Sequence, residues 1–200
     1  MSETRRRMTA IPMAALLVAA LAAAGCAAPL RVFVNSQADM TLYKNVVIVP
    51  FANLSTDPFA GLRVTRAFTT ELVIANRFKL VDPAELLGQL DRINARSDAA
   101  GQYSPENLRE AATKIQATAF IRGAVTEYSM HRSGTDEYPV VSFDAEMVDT
   151  ATGNVVWRIT VTQTGRGRIP VIGLLGERTY GKVTETACRR AIQQLRKVAF

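Results

Sequence analysis

Histidine and tryptophan each occur once in these 200 residues, and cysteine twice. One histidine, His131, with Cys26 and Cys188 cannot furnish the four ligands of a structural zinc site. No His-Glu-x-x-His or Gly-x-Ser-x-Gly pattern occurs, so the common zinc-protease and serine-hydrolase constellations are excluded. Internal repeats and low-complexity stretches are also missing. The longest apolar run, Ile11 to Gly25, is interrupted by Pro12 and falls short of the roughly 20 residues that a membrane-crossing helix needs.

That run has no polar face either, so it does not read as a core helix. It follows Arg5, Arg6 and Arg7 and ends in small residues, the order of a secretory signal: basic, apolar, cleavage site. The chain continues Ala24-Gly25-Cys26, and Ala-Gly-Cys closing such a run resembles a bacterial lipobox. Ala23 departs from that pattern, which prefers leucine three places before the cysteine. An ordinary signal peptide, twin-arginine export and a retained anchor are the weaker readings. Residues 1–25 are therefore read as a signal peptide cut before Cys26, and Cys26 as the acylated residue. Two or more acyl chains hold a protein stably to a bilayer where one does not, and the lipobox type of modification supplies three. With Cys26 acylated, Cys188 has no disulfide partner. Ala27, in place of an aspartate, resembles the pattern of lipoproteins sent on to the outer membrane.

Removing residues 1–25 takes away three arginines and one glutamate, so the formal charge falls from +6 to about +4. A mildly basic periplasmic surface suits anionic headgroups or acidic polymers and makes nucleic acid an unsuitable partner. Some 175 residues remain, enough for one domain with a core.

Residues 26–43 show little periodicity and are expected to form the lipidated cysteine and a tether, with one domain over residues 44–200. "VVIV" at 46–49 reads as a strand buried on both faces. Asp57-Pro58, Asp82-Pro83 and Ser104-Pro105 each read as a cap followed by proline at the first helical position. Their helices run to about Asn76, Ala95 and Ile115, with a short strand, "FKLV", between the first two. Three alternating segments follow, "TAFIRGAVTEYSM", "PVVSFDAEMVD" and "NVVWRITVTQTG", the last two joined by a turn at Gly153. A C-terminal helix is expected from about Arg178 to Val198, with Cys188 bordering its buried face. The fold class is α/β or α+β: a mixed sheet, parallel in its first half because strand–helix–strand crossovers make parallel neighbours, and an antiparallel meander in its second.

Chemistry-bearing residues are few. Gly176-Glu-Arg-Thr-Tyr-Gly181-Lys182 fits the spacing of a phosphate loop, but Val183 stands where a hydroxyl should hold magnesium, and too little chain follows for an acidic metal ligand. Asp144 and Glu146 fall on the same face of one strand, where an exposed sheet surface explains them better than acid–base chemistry. No cofactor, metal, nucleotide or catalytic set is expected, and the chain is not expected to be an enzyme.

"VVIVPFANLSTDP", a helix carrying "TTEL", then "RFKLVDPAELLGQL" resemble the N-terminal pattern of TolB-like and CsgG-like domains. The resemblance is detailed from Lys44 to Leu90 and looser from Thr118 onward. Lipidated members of that group include the curli-secretion pore protein, the Pel polysaccharide export lipoprotein and an activator of cell-wall synthases. The curli protein's barrel hairpins have no counterpart here, since all three alternating segments are needed for the sheet, and the length fits the Pel lipoprotein best. The resemblance implies an outer-membrane lipoprotein that works as a homo-oligomer, a ring among its forms, within an export or envelope-assembly machine. The alternative it implies is a periplasmic regulator that docks on a cell-wall synthase.

Three groups of residues are candidate contacts. Ile169, Val171, Ile172, Leu174 and Leu175 crowd one loop, which either tucks under the sheet, packs on a second protomer or enters lipid. Trp157 lies on a strand, where it is either core or a membrane-interface contact. Arg189, Arg190, Arg196 and Lys197 crowd the last helix, as a solvated face or an anionic contact.

Overall fold

A computed structural model describes residues 30–166, 177 and 179–198. Within these, one mixed sheet holds seven strands: β1 (Leu30–Val34), β2 (Asn45–Ile48), β3 (Ala52–Asn53), β4 (Lys79–Val81), β5 (Ala119–Ser133), β6 (Asp136–Asp149) and β7 (Val155–Thr164). Their order is β1-β7-β6-β5-β2-β4, with β3 continuing beside β5. Four helices pack on it: α1 (Ala60–Ala75), α2 (Pro83–Arg92), α3 (Pro105–Lys114) and α4 (Tyr180–Val198). β2 is parallel to β4 and β5, while β5, β6 and β7 form an antiparallel meander. This is the α+β architecture expected from the sequence.

Local chemistry sets the helix boundaries. The Asp82 carboxylate accepts the Ala84 N–H at 2.9 Å, and Ser104 Oγ accepts the Asn107 N–H at 3.2 Å, each satisfying an otherwise orphaned helical donor. Asn76 ends α1 in the left-handed region. The Asp57-Pro58 start is displaced: α1 begins at Ala60, because the Asp57 carboxylate caps a preceding turn through the Phe59 N–H and binds Arg63.

Alternation along the meander divides the sheet into two faces. Phe143, Ala145 and Met147 of β6, with Trp157, Ile159 and Val161 of β7, line the face that α1 and α4 cover. Phe51, Phe68 and Phe143 meet there with centroids 5.3–6.2 Å apart. Helices α2 and α3 cover only part of the opposite face, burying Val47, Val49, Leu86, Leu90, Leu108 and Phe120.

Residues 30–43 depart from the expected tether. Leu30–Val34 pair antiparallel with β7 as an edge strand. Met40 and Tyr43 are buried. The Tyr43 hydroxyl donates to Asp149 at 2.9 Å, and burial, reinforced by that carboxylate, pushes its pKa up to about 12. The domain therefore begins by Leu30, four residues after Cys26.

Gly123 sits where the sheet is tightest. A Cβ there would lie 2.2 Å from the Asp144 carbonyl oxygen and 2.5 Å from the Phe51 ring. Gly88, in α2, has nothing within 4 Å of such an atom. Gly123→Ala should lower stability in urea unfolding by about 2–3 kcal/mol, whereas Gly88→Ala should raise it by up to about 1 kcal/mol.

Candidate functional site

The uncovered part of the second sheet face carries a charged ladder. Arg158 of β7 stands opposite Glu146 of β6, which stands opposite Arg122 of β5. One step along, Asp144 shares the face, as the sequence spacing predicted. Arg122 Nε donates to Glu146 Oε1 at 2.7 Å, and Arg158 reaches Glu146 Oε2 at 3.5 Å and Asp144 Oδ2 at 3.2 Å. The other Asp144 oxygen accepts the Ala124 N–H at 2.9 Å. Glu146 is buried, whereas Arg158 is exposed. A cavity of about 270 Å³ opens above the ladder, walled by Leu54, Gln102 and Tyr103. The four charges neutralise one another in pairs, and the geometry offers polar recognition rather than proton transfer. Phe33 of β1 extends the Arg158 row to the sheet edge, where it is exposed.

A second concentration of exposed groups lies at one end of the sheet. Leu54, through its N–H to the Val125 carbonyl, stands level with the row Val125, Phe143, Val161 and Leu30. Farther along β5, Tyr128 stacks on Tyr180, the first residue of α4, with centroids 4.6 Å apart. The Arg63 guanidinium lies 5.7 Å from the Tyr128 ring and 5.9 Å from the Phe59 ring. It also pairs with Asp57 at 3.1 Å. Burial, then the Asp57 charge, raises the Tyr180 pKa above its ordinary value. The starts of β1, α1 and α4 and the β5–β6 hairpin thus share one end.

The residues singled out from the sequence fall differently. Trp157 is not a surface contact: it is fully buried under α4, so the core is the alternative realised, and its Nε1–H has no acceptor among the described residues. Its strand alternation forces this, because Trp157 shares the covered face with Ile159 and Val161. Arg189 binds Glu185 and lies 3.6 Å from the buried Glu71 of α1, so it clamps the two helices. Arg190 donates to Gln163 at 2.6 Å. Arg196 and Lys197 are exposed in the last turn of α4, a position that favours cations. Cys188 is buried, and desolvation, then the Glu71 charge, pushes its thiol pKa far up, leaving it unreactive. Lys182 of the phosphate-loop lookalike binds Glu185 at 3.1 Å. Cys26, Ile169, Val171, Ile172, Leu174 and Leu175 lie outside the described residues. Sequence reasoning missed the ladder as a unit: it placed Asp144 and Glu146 together but not the arginines opposite them, which only register reveals.

A family model described as the peptidoglycan-synthase activator LpoB matches residues 18–161. The chain belongs to the LpoB family. The matched stretch takes in Cys26 and all of the sheet except the last three residues of β7. Among solved structures, a PelC dodecamer from Paraburkholderia phytofirmans is 21% identical, with a TM-score of 0.57, over 84% of this chain and 98% of that one. Lipoprotein GNA1162 from Neisseria meningitidis is 16% identical, with a TM-score of 0.54, over 77% and 99%. The hypothetical protein CT253 from Chlamydia trachomatis is 11% identical, with a TM-score of 0.52, over 78% and 97%. At these identities the likeness is one of fold, and that fold is PelC-like. No curated protein matches the chain.

The ladder predicts unequal substitutions. Arg122→Ala leaves the buried Glu146 with only the longer Arg158 contact and should cost about 2 kcal/mol in urea unfolding. Arg158→Ala, removing an exposed side chain, should cost less than about 1 kcal/mol.

Proposed function

We propose that the protein is a lipid-anchored, non-enzymatic envelope protein that docks on a peptidoglycan synthase in the periplasm and activates it. The observation that supports this reading most is the family match over residues 18–161, because it includes both the end of the signal-like segment with Cys26 and the folded sheet. The regulator alternative from the sequence thereby becomes the leading reading. The charged ladder and its cavity give a partner a polar, partly desolvated surface that the protein's own helices leave uncovered.

A second reading, a homo-oligomeric scaffold in an export machine, is supported by the fold shared with a dodecameric protein over nearly its whole length. Under this reading Ile169, Val171, Ile172, Leu174 and Leu175 form the contact between protomers. The TolB-like and CsgG-like resemblance and the outer-membrane address belong to both readings.

Glycan polymerisation by a purified peptidoglycan synthase, measured with and without the lipidated protein, tests the first reading. Stimulation that saturates at a fixed ratio supports it, and an unchanged rate together with no binding sinks it. The native mass in mild detergent tests the second: a whole-number multiple of protomers supports a scaffold, and a monomer removes it. Leu174→Asp with Leu175→Asp should collapse any such assembly to monomers while circular dichroism stays unchanged; loss of the folded spectrum would instead assign the loop to the core. Cys26→Ala should abolish acylation and membrane attachment, and a variant that still sediments with membranes would remove the anchor from both readings.

A further inference from the structure

The anchor and the sheet register together orient the domain. Resting on the acylation of Cys26 proposed above, we propose that the end carrying Phe59, Leu62 and Met130 docks directly on the bilayer that holds the acyl chains. Three residues separate Cys26 from Leu30, and the four extended steps between them span at most about 14 Å. Leu30 lies level with Val125 of β5, and β1 runs opposite to β5 across the sheet. A chain leaving Leu30 along the line of β1 therefore heads toward Tyr128 and Met130. At about 3.4 Å per residue, the backbone of Cys26 reaches roughly the level of Met130 and no farther. The β5–β6 hairpin, which continues to Ser133 and returns from Asp136, extends roughly 10 Å beyond that level. A bilayer holding the acyl chains must then lie across this end of the domain.

The surface there fits a lipid partner. Phe59 is 58% exposed, Leu62 51% and Met130 46%. Exposed apolar residues also occur at the far end of α1, where Ile74 is 69% exposed. That end lies about 20 Å away along a helix rising 1.5 Å per residue, beyond what the tether permits for an upright domain. The apolar groups alone therefore do not choose an end, and the tether does. Among the described residues charge is balanced at the proposed face: Arg132 and Arg166 are offset by Asp136 and Glu137. Docking thus rests on apolar burial, and zwitterionic lipid suffices.

The test uses the full lipidated protein in phosphatidylcholine vesicles brominated near the top of the acyl chains. Tryptophan is placed at exposed sites, as Phe59→Trp, Met130→Trp and Ile74→Trp in separate proteins; the native Trp157, buried in the core, is a constant background. The expected result is loss of the added emission for Phe59→Trp and Met130→Trp and none for Ile74→Trp, unchanged by high salt. Full emission at both Phe59→Trp and Met130→Trp in an acylated protein that floats with vesicles overturns the docking and leaves the anchor standing. Quenching at Ile74→Trp equal to that at Phe59→Trp also overturns it, since the domain would then lie on its side. A blue shift that grows with protein concentration, without bromine quenching, assigns the face to a second copy instead. Absence of acyl mass on Cys26 removes the anchor and the docking with it.

Discussion

Alternation along β5, β6 and β7, interrupted by one register shift at Val125/Glu127 and another at Met147/Val148, is the constraint on which the rest depends. In the middle of these strands alternate residues are apolar and face α1 and α4, and a shift of one residue would expose that set to water. Phe143, Met147, Trp157 and Ile159 are all fully buried on that face. Because the register is held so firmly on one side, the opposite side is placed just as firmly. Arg122, Glu146 and Arg158 come into line without a dedicated loop to hold them.

The second face is covered unevenly, and length explains why. Helices α2 and α3 have ten residues each, so each spans about 15 Å. They reach across β2, the start of β5 and the end of β6 but leave the middle of the meander open. Full coverage would have to desolvate two arginines and two carboxylates, a penalty that their mutual attraction does not reliably repay. Leaving Arg158 in water while Glu146 is buried between its two partners avoids most of that penalty. The outcome is a polar, shape-defined surface on the open side of the sheet.

What could be read from the sequence was what local chemistry decides. The caps at Asp82 and Ser104, the doubly buried β2 and the three strands of the meander all follow from neighbours within a few residues. What could not be read depends on partners far along the chain. Strand β1 has only five residues and four of them are exposed; its identity comes from pairing with β7 more than 120 positions later, so it passed for tether. Arg189 looked available for an anionic ligand because Glu71, which it neutralises, lies on another helix. Trp157 was ambiguous because both faces of β7 begin as β-branched and apolar, and only packing under α4 decides between them. The left-handed Asn76 and the turn at Asp57 show the same division: the residue types were informative, while the helix start moved by two positions because one carboxylate served the preceding turn.

The reassignment of β1 changes the function more than the fold. A seventeen-residue tether would let a regulator search widely from its anchor, reaching roughly 55 Å when extended. With Cys26 acylated as proposed, a three-residue link would hold the domain near the membrane with one end turned toward it. A synthase partner would then have to present its docking surface close to the same bilayer, and protomers of a scaffold would share one orientation before they met. Restricting both height and tilt raises the effective concentration of correctly oriented surfaces, so a modest polar contact such as the charged ladder can suffice where a freely diffusing domain would need a larger apolar one. The open sheet face runs alongside the strands rather than across their ends, so an upright domain keeps it perpendicular to the bilayer and free for lateral contact.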